Sequence, residues 1–441
     1  MSTDNIKILV AEWIPSLNKG EMAIFLGMLE TFRILNGFEV TAFSFLPEID
    51  ALRYPQNVSI VNARDDLLLG GSLFRKSFKD RLKLVLFPLI QHLLFILFYL
   101  FLHKRALKIF RKPIWKSYDE ADVIMICHNQ ISCVFGFVLL YSPLYITLVA
   151  KALNKPLVIY GNGTPPLHGR LTRMMARFVL DSACLTTTRE EETYRILKSI
   201  SPDNHRIIAT ADPAVLAIPS SQQRAKLVLA EEGIIESQTL LVGVTLSKSI
   251  LLKSFQLNLG PVKGFEIGII QYAELFDRLI DERGVEIVFL PHCIEPYEMR
   301  DDRQVSHRIF NAMRRKSKAH LINKEYSLED LKAVIRELDL LVSARIHSAI
   351  GALTTGVPSC ILAESIDIRA LGLIGGLLQQ GDWIYHVENF DSNDLLNCIG
   401  KLIERRESIR EDLKSIIPSV ERKAMKNGKL LASILGVQFD A

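Results

Sequence analysis

The stretch "LDLLVSARIHSAIGALTTGVP", residues 338–358, sets an arginine and a histidine on either side of one isoleucine, where an apolar run gives way to small residues. The apolar run predicts a strand ending at Ser343 and the small residues predict a helix, with Arg345 and His347 on the turn between them. If that turn is locally extended, both side chains flank Ile346 on one face. A guanidinium offers a two-pronged fork for phosphate or carboxylate, and an imidazole transfers protons near neutrality. The positive end of the following helix dipole also favours an anion. The competing reading is structural: an arginine–carboxylate pair beside a core histidine.

Other polar residues stand where apolar runs end. His292 closes "VEIVFLPH" and precedes the acidic pair Asp301–Asp302; Arg189 closes "CLTTTR"; Lys248 follows "VGVTLS". "YGNGTPPL", Tyr160–Leu167, is a Gly/Pro-rich loop containing Asn162. "LNKGEMAI", Leu17–Ile24, joins the first strand to the first helix. Its Gly20 permits close backbone approach, and Glu21 stands at the helix N-terminus, ready to orient sugar hydroxyls or act as a base. Each is equally compatible with a solvated loop or a capped helix start. The chain has no GxxxxGK[ST] loop, HExxH pair or DxD motif, which argues against an ATPase, a zinc protease and a metal-dependent nucleotide-sugar enzyme. No metal site is expected.

These residues need elements to hold them, and short apolar runs alternate with helical patterns almost end to end, the mark of parallel sheets with crossover helices. The first half offers "IKILVAEW", "FEVTAFSF", "VSIVN", "DVIMIC", "PLVIYGN", "CLTTTR" and "RIIAT"; the second restarts with "LLVGVTLS", "VEIVFLPH", "HLINK", "LDLLVSAR", "PSCILA" and "WIYHV". Ser327 with Asp330 suggests a capping box before "LDLLVSAR". The 441 residues suit two α/β domains: a Rossmann-like domain over 1–219, a polar linker over 220–238, a second Rossmann-like domain over 239–391 and a helical tail over 392–441. Two such halves imply a ligand cleft lined by loops at the carboxyl ends of strands. With 49% hydrophobic residues and 23% charged, general disorder is excluded, and a net charge of +4 does not indicate nucleic acid. Six scattered cysteines without a CxxC and an N-terminus without a leader pattern favour a reducing, cytoplasmic setting.

One segment breaks the rhythm. Residues 84–102, "LVLFPLIQHLLFILFYLFL", carry no formal charge with His92 neutral, and as a helix they would extend about 28 Å. Basic residues crowd both sides, from Arg75 to Lys83 and from Lys104 to Lys116, marking an insertion over about 75–116. A buried core helix is the plain alternative, made unattractive by apolarity around the whole circumference, and a full crossing would split the first sheet across a membrane. A membrane-embedded hairpin or interfacial helix, its cationic flanks on anionic headgroups at the inner face of the cell membrane, is the expectation.

On these motifs the chain resembles the polysaccharide pyruvyl transferase family, whose first helix opens with N-x-G-D; here it is Asn18, Lys19, Gly20, Glu21. "TTTREEETYRIL", "TADPAVL", "VFLPH" with a downstream "DD", and "SARIHSAIGALTTGVPSCIL" follow in the family's order. "HNQISCVFG", 128–136, and "ESIDIR", 364–369, depart from it. The resemblance implies two Rossmann-like domains in a GT-B-like arrangement, phosphoenolpyruvate as donor substrate with no further cofactor, and a sugar of a surface polysaccharide or lipid-linked precursor as acceptor. Arg345 would grip the donor phosphate or carboxylate, with Arg189, His292, Lys248 and Ser343 as further donor contacts. His347 would be the acid. Asn18, Gly20, Glu21 and Asn162 would face the acceptor. The rivals are a metal-independent GT-B glycosyltransferase using a nucleotide sugar, and a catalytically silent membrane-bound scaffold of a polysaccharide assembly complex.

Overall fold

The computed structural model describes residues 5–63, 90–91, 93–110, 112–127, 137–234, 239–296 and 300–437. Each apolar run named above holds a strand. β1 (Ile6–Trp13), β2 (Phe38–Ser44), β3 (Val58–Asn62), β4 (Val123–Cys127), β5 (Leu157–Asn162), β6 (Leu185–Thr188) and β7 (Ile207–Ala209) form one parallel sheet in the order β3-β2-β1-β4-β5-β6-β7. β8 (Leu241–Thr245), β9 (Glu286–Phe289), β10 (Ala319–Leu321), β11 (Leu340–Ser343), β12 (Ser359–Ala363) and β13 (Ile384–His386) form a second, in the order β10-β9-β8-β11-β12-β13. β4, β5, β9, β11 and β12 are buried along their whole length, which is why they read as continuous apolar runs rather than alternating ones.

In both sheets the strand order reverses once, between β1 and β4 and between β8 and β11. Such a reversal splays the flanking loops apart and leaves a crevice at the carboxyl ends of the strands. β8 ends at Thr245 and β11 at Ser343, so the Arg345 turn leaves the sheet at the reversal of the second one.

The chain divides into two compact units: residues 1–16, 31–212 and 424–441 in the first; 17–30 and 213–423 in the second. The helix opening at Lys19 therefore starts among second-unit residues, although its flanking strands β1 and β2 belong to the first. The stretch 220–238 expected to be a linker carries a helix, Gln222–Glu231. Ser221 Oγ accepts from the Arg224 N–H at 3.2 Å, and Ala225, Val228 and Leu229 join the second unit's hydrophobic core. Its polar residues are the outer face of an amphipathic helix, which a count of polarity alone does not separate from a linker. The tail is one helix, Ser392–Ile434, whose residues from Ala424 onward count with the first unit. Ser327 caps its helix by accepting from Asp330 N–H at 3.0 Å. The Asp330 carboxylate, however, takes Ser220 at 2.7 Å and Arg224 at 3.0 Å, so only half of the expected box forms.

Of the apolar segment 84–102, residues 84–89 and 92 lie outside the described residues, as does 128–136. Residues 93–102 are helical. Phe95 and Tyr99 are buried, Phe95 stacking on Trp115 at 4.1 Å between ring centres, while Leu93, Leu97, Phe98, Leu100 and Phe101 are exposed. Among the described residues no helix is long and apolar enough to cross a membrane.

Candidate active site

The second unit gathers the loop Leu17–Gly20, the segment following β9 and the turn following β11. Asn18 and Cys293 pair as an isolated antiparallel bridge; the Lys19 N–H donates to His292 O at 2.9 Å and the Ile294 N–H to Leu17 O at 3.0 Å. Asn18 Oδ1 accepts from the N–H groups of Gly20 at 3.2 Å and Glu21 at 3.5 Å, capping the first helix. The loop expected to face an acceptor from the N-terminal domain is thus stitched by its main chain to the His292 segment of the second unit. Asn18 acts there as a cap.

Gly20 is required where it stands. A Cβ at that position would lie 2.9 Å from His347 Nδ1 and 3.0 Å from His347 Cβ, so only a bare Cα lets the imidazole close onto the loop. His347 lies in the first turn of the helix Ile346–Leu353, and Arg345 is its extended N-cap at φ −112°, ψ 109°. The Ser343 hydroxyl holds that geometry, accepting from Arg345 N–H at 3.1 Å and donating to Arg345 O at 2.9 Å. Ser343 was expected as a donor contact; it is fully buried and clamps the Arg345 main chain.

Asp302 organises the centre. Fully buried, it accepts from the N–H groups of His292 at 3.1 Å and Cys293 at 2.9 Å. It also takes Arg345 in a fork, Nε at 3.2 Å and Nη2 at 2.5 Å. The arginine–carboxylate pair beside a core histidine, weighed above as the structural reading, is therefore present. It leaves the Nη1 edge of Arg345 outside the fork. Burial raises the Asp302 pKa, while Arg345 and the two N–H groups oppose that shift. Burial works against the charge on Arg345, and the Asp302 carboxylate outweighs it.

His292 is buried, and its Nε2 has no hydrogen-bond partner among the described residues. Burial, and then the positive fields of His347, Arg345 and Lys19, hold its pKa well below the ordinary histidine value, so its ring is neutral at neutral pH. Burial pushes the neighbouring Cys293 thiol up to about 12, so it is no nucleophile.

Three contributors were not named as site residues from the sequence. Asp302 was visible only as half of an acidic pair. Lys19 is buried and reaches Glu325 at 3.6 Å; a lysine between Asn18 and Gly20 gives no sign that it is enclosed. Arg369, at the carboxyl side of β12, forks onto Asp367 at 3.0 and 2.7 Å and senses the charges of Glu21 and Arg345. Its position after a strand end was the available signal. Lys248 opens the helix after β8, with its Nζ 5.1 Å from the Phe265 ring centre.

Arg189 and Asn162 come together in the first unit. Arg189 is 1% exposed, its Nε 3.3 Å from Glu190 and its Nη1 3.6 Å from Asp212. Its N–H donates to Asn162 O at 3.1 Å, and the Asn162 side chain accepts from the Thr164 hydroxyl. A Cβ on Gly163 would fall 2.2 Å from Arg189 Nε. Both of these neighbouring anions, Glu190 and Asp212, are the protein's own carboxylates. Asn162 is likewise fully buried.

An α/β protein of two parallel sheets, each with one order reversal, is the architecture of GT-B-like proteins. Among solved structures, UDP-GlcNAc 2-epimerase of Neisseria meningitidis bound to UDP-GlcNAc aligns with a TM-score of 0.55 at 12% identity, over 97% of this chain and 100% of that one. Anabaena HepE in complex with UDP aligns with a TM-score of 0.54 at 11% identity, over 98% and 100%. These likenesses concern the fold. The sequence supplies the family: the model for polysaccharide pyruvyl transferase matches residues 18–365, and the chain belongs to that family. The amylovoran biosynthesis protein AmsJ of Erwinia amylovora is 23% identical over 310 residues, 68% of this chain and 70% of AmsJ. The chain is thus a transferase of the polysaccharide-modifying kind.

Proposed function

We propose that this protein transfers a pyruvyl group from phosphoenolpyruvate to sugar hydroxyls of a surface polysaccharide or its lipid-linked precursor, forming a ketal. The observation that best supports the reading is the Arg345 fork fixed by buried Asp302, beside His292 and His347, at the order reversal of the second sheet. Arg345, oriented through Nε and Nη2, offers its Nη1 edge to the donor phosphate or carboxylate. Lys19 adds positive charge from the loop. His347 is the proton donor, because His292 is held neutral by burial. The enol methylene takes the proton and becomes a methyl group. A sugar hydroxyl adds to the carbon left cationic, phosphate departs as its C–O bond breaks, and a second hydroxyl closes the ketal. One hydroxyl proton replaces the proton given to the methyl, and the other leaves with phosphate. Positive groups already aimed at the donor need not reorganise as charge develops.

The acceptor side of this reading includes a membrane. Residues 84–102 with their basic flanks attach the protein to the cytoplasmic face of the bilayer, where confinement to two dimensions raises the effective concentration of a lipid-linked acceptor. Calorimetric titration of phosphoenolpyruvate and of a panel of nucleotide sugars, UDP-GlcNAc among them, tests the donor. Wild type should bind phosphoenolpyruvate saturably. Arg345→Lys, which keeps the charge but loses the fork, should bind at least tenfold more weakly. Saturable binding of a nucleotide sugar in place of phosphoenolpyruvate would move the protein to the glycosyltransferases. Absence of any donor binding, with complex formation intact, would make it a scaffold.

A further inference from the structure

We infer that the helix Arg170–Ser182 is a second membrane-contact element of the first unit, lying on an anionic bilayer together with residues 93–102. The inference rests on the membrane part of the reading above and adds an element that lies outside the apolar segment. β4, β5, β6 and β7 stand side by side in sequence order, so the right-handed crossovers between them place the helices Phe137–Ala152, Arg170–Ser182 and Glu191–Ile200 on one face. Residues 93–102 dock on the same layer: Phe95 stacks on Trp115, Trp115 meets Tyr145 at 6.2 Å, and Phe95, Tyr145, Val149, Ala176 and Leu180 belong to one hydrophobic cluster.

The outward side of that layer is unusually apolar. Arg170–Ser182 buries Thr172, Ala176, Val179 and Leu180 and turns Leu171, Met174 and Phe178 outward, Met174 being 63% exposed and Leu171 57%. Leu148 of the neighbouring helix is exposed as well, and Lys151 Nζ lies 5.6 Å from the Phe178 ring centre. Residues 93–102 add further exposed leucines, Phe98, and Phe101 at 77%. An apolar surface of this extent is uncommon on a monomer that meets only water.

The charges beside it choose the occupant. Arg170, Arg173 and Arg177 are exposed next to the apolar stripe of their helix, and Lys104, Arg105 and Lys108 follow residues 93–102 directly. Arg173 donates to Ser199 O at 2.8 Å, an uncharged partner, while Arg177 forms an ion pair with Asp181 at 3.4 Å. A second copy would set this basic surface against itself, since a two-fold interface pairs like with like. An anionic lipid surface accepts both the apolar side chains and the arginines.

The experiment is flotation of the full-length protein with phosphatidylcholine vesicles, with and without phosphatidylglycerol. Three chains are compared: wild type; Leu171→Ser/Met174→Ser/Phe178→Ser; and Leu97→Ser/Phe98→Ser/Phe101→Ser. Phosphoenolpyruvate affinity and melting temperature report that each remains folded. The expected result is binding to phosphatidylglycerol vesicles by wild type and at least a tenfold loss in both variants, with donor affinity unchanged. Salt should weaken binding. Wild-type affinity in the Leu171/Met174/Phe178 variant, with loss only in the other, would overturn the role of Arg170–Ser182 and leave the apolar-segment anchor standing. Failure of wild type to float with either vesicle would overturn both. Equal binding to both vesicle types would overturn the charge argument. A lipid-free dimer abolished by the Leu171/Met174/Phe178 substitutions would identify a second copy as the occupant.

Discussion

Asp302 spends its hydrogen bonds on two jobs, fixing the main chain at His292 and Cys293 and steering the Arg345 fork. Removing it leaves a largely enclosed guanidinium without its counter-charge. Asp302→Ala should cost about 3 kcal/mol, read as a shift in the urea midpoint, because breaking a buried pair costs more than forming one gains. Gly20→Ala is a finer probe. Its added methyl meets the His347 ring, so turnover should fall about tenfold or more through displacement of the imidazole, with phosphoenolpyruvate affinity less affected. His292 predicts a pH dependence. Its folded pKa is depressed, so the unfolded chain takes up a proton below the ordinary histidine value of about 6.5 that the folded chain refuses. Stability is therefore retained above that pH and lost as pH falls below it, by up to about 1.4 kcal/mol per unit from this residue. In His292→Gln the slope of the urea midpoint between pH 5 and 7 should be shallower than in wild type. An unchanged slope would exclude His292 as its source.

At the scale of elements, the strands of the described residues were legible: β4, β5, β9, β11 and β12, buried along their length, must be continuously apolar, and polar turns punctuate the rest. Helices on the surface were less so: Gln222–Glu231 looked like a linker because only Ala225, Val228 and Leu229 face inward. Caps can be tested directly. Ser327→Ala should cost about 1 kcal/mol in urea unfolding, since Asp330 N–H loses its acceptor. Gly428 lies where the C-terminal helix passes the first unit so closely that a Cβ would stand 2.2 Å from Thr31 O. Gly428→Ala should lower the melting temperature and cost about 1–3 kcal/mol, because main chain must move to admit the methyl.

For the whole molecule, the family places the chain among transferases acting on polysaccharide, and donor binding should register as global stabilisation. At phosphoenolpyruvate concentrations near one hundred times its Kd, wild type should gain about 2.7 kcal/mol and melt higher, while Arg345→Lys at the same concentration should gain far less. The sequence by itself determined the thirteen strands seen among the described residues, the two-sheet α/β class, the Arg345–His347 turn and the apolar segment, because each depends on residues close along the chain. The strand end before Arg345 and the helix start at His347 follow from local pattern alone. Only the tertiary structure decided who meets whom. Asp302 takes Arg345 across 43 residues, and Gly20 closes on His347 within the second unit. Arg189, which likewise stands at a strand end, is enclosed by Glu190 and Asp212. Local pattern cannot reveal such partners. A charged residue at a strand end reads the same whether solvent, a ligand or a distant carboxylate completes it, and burial settles which of these is present.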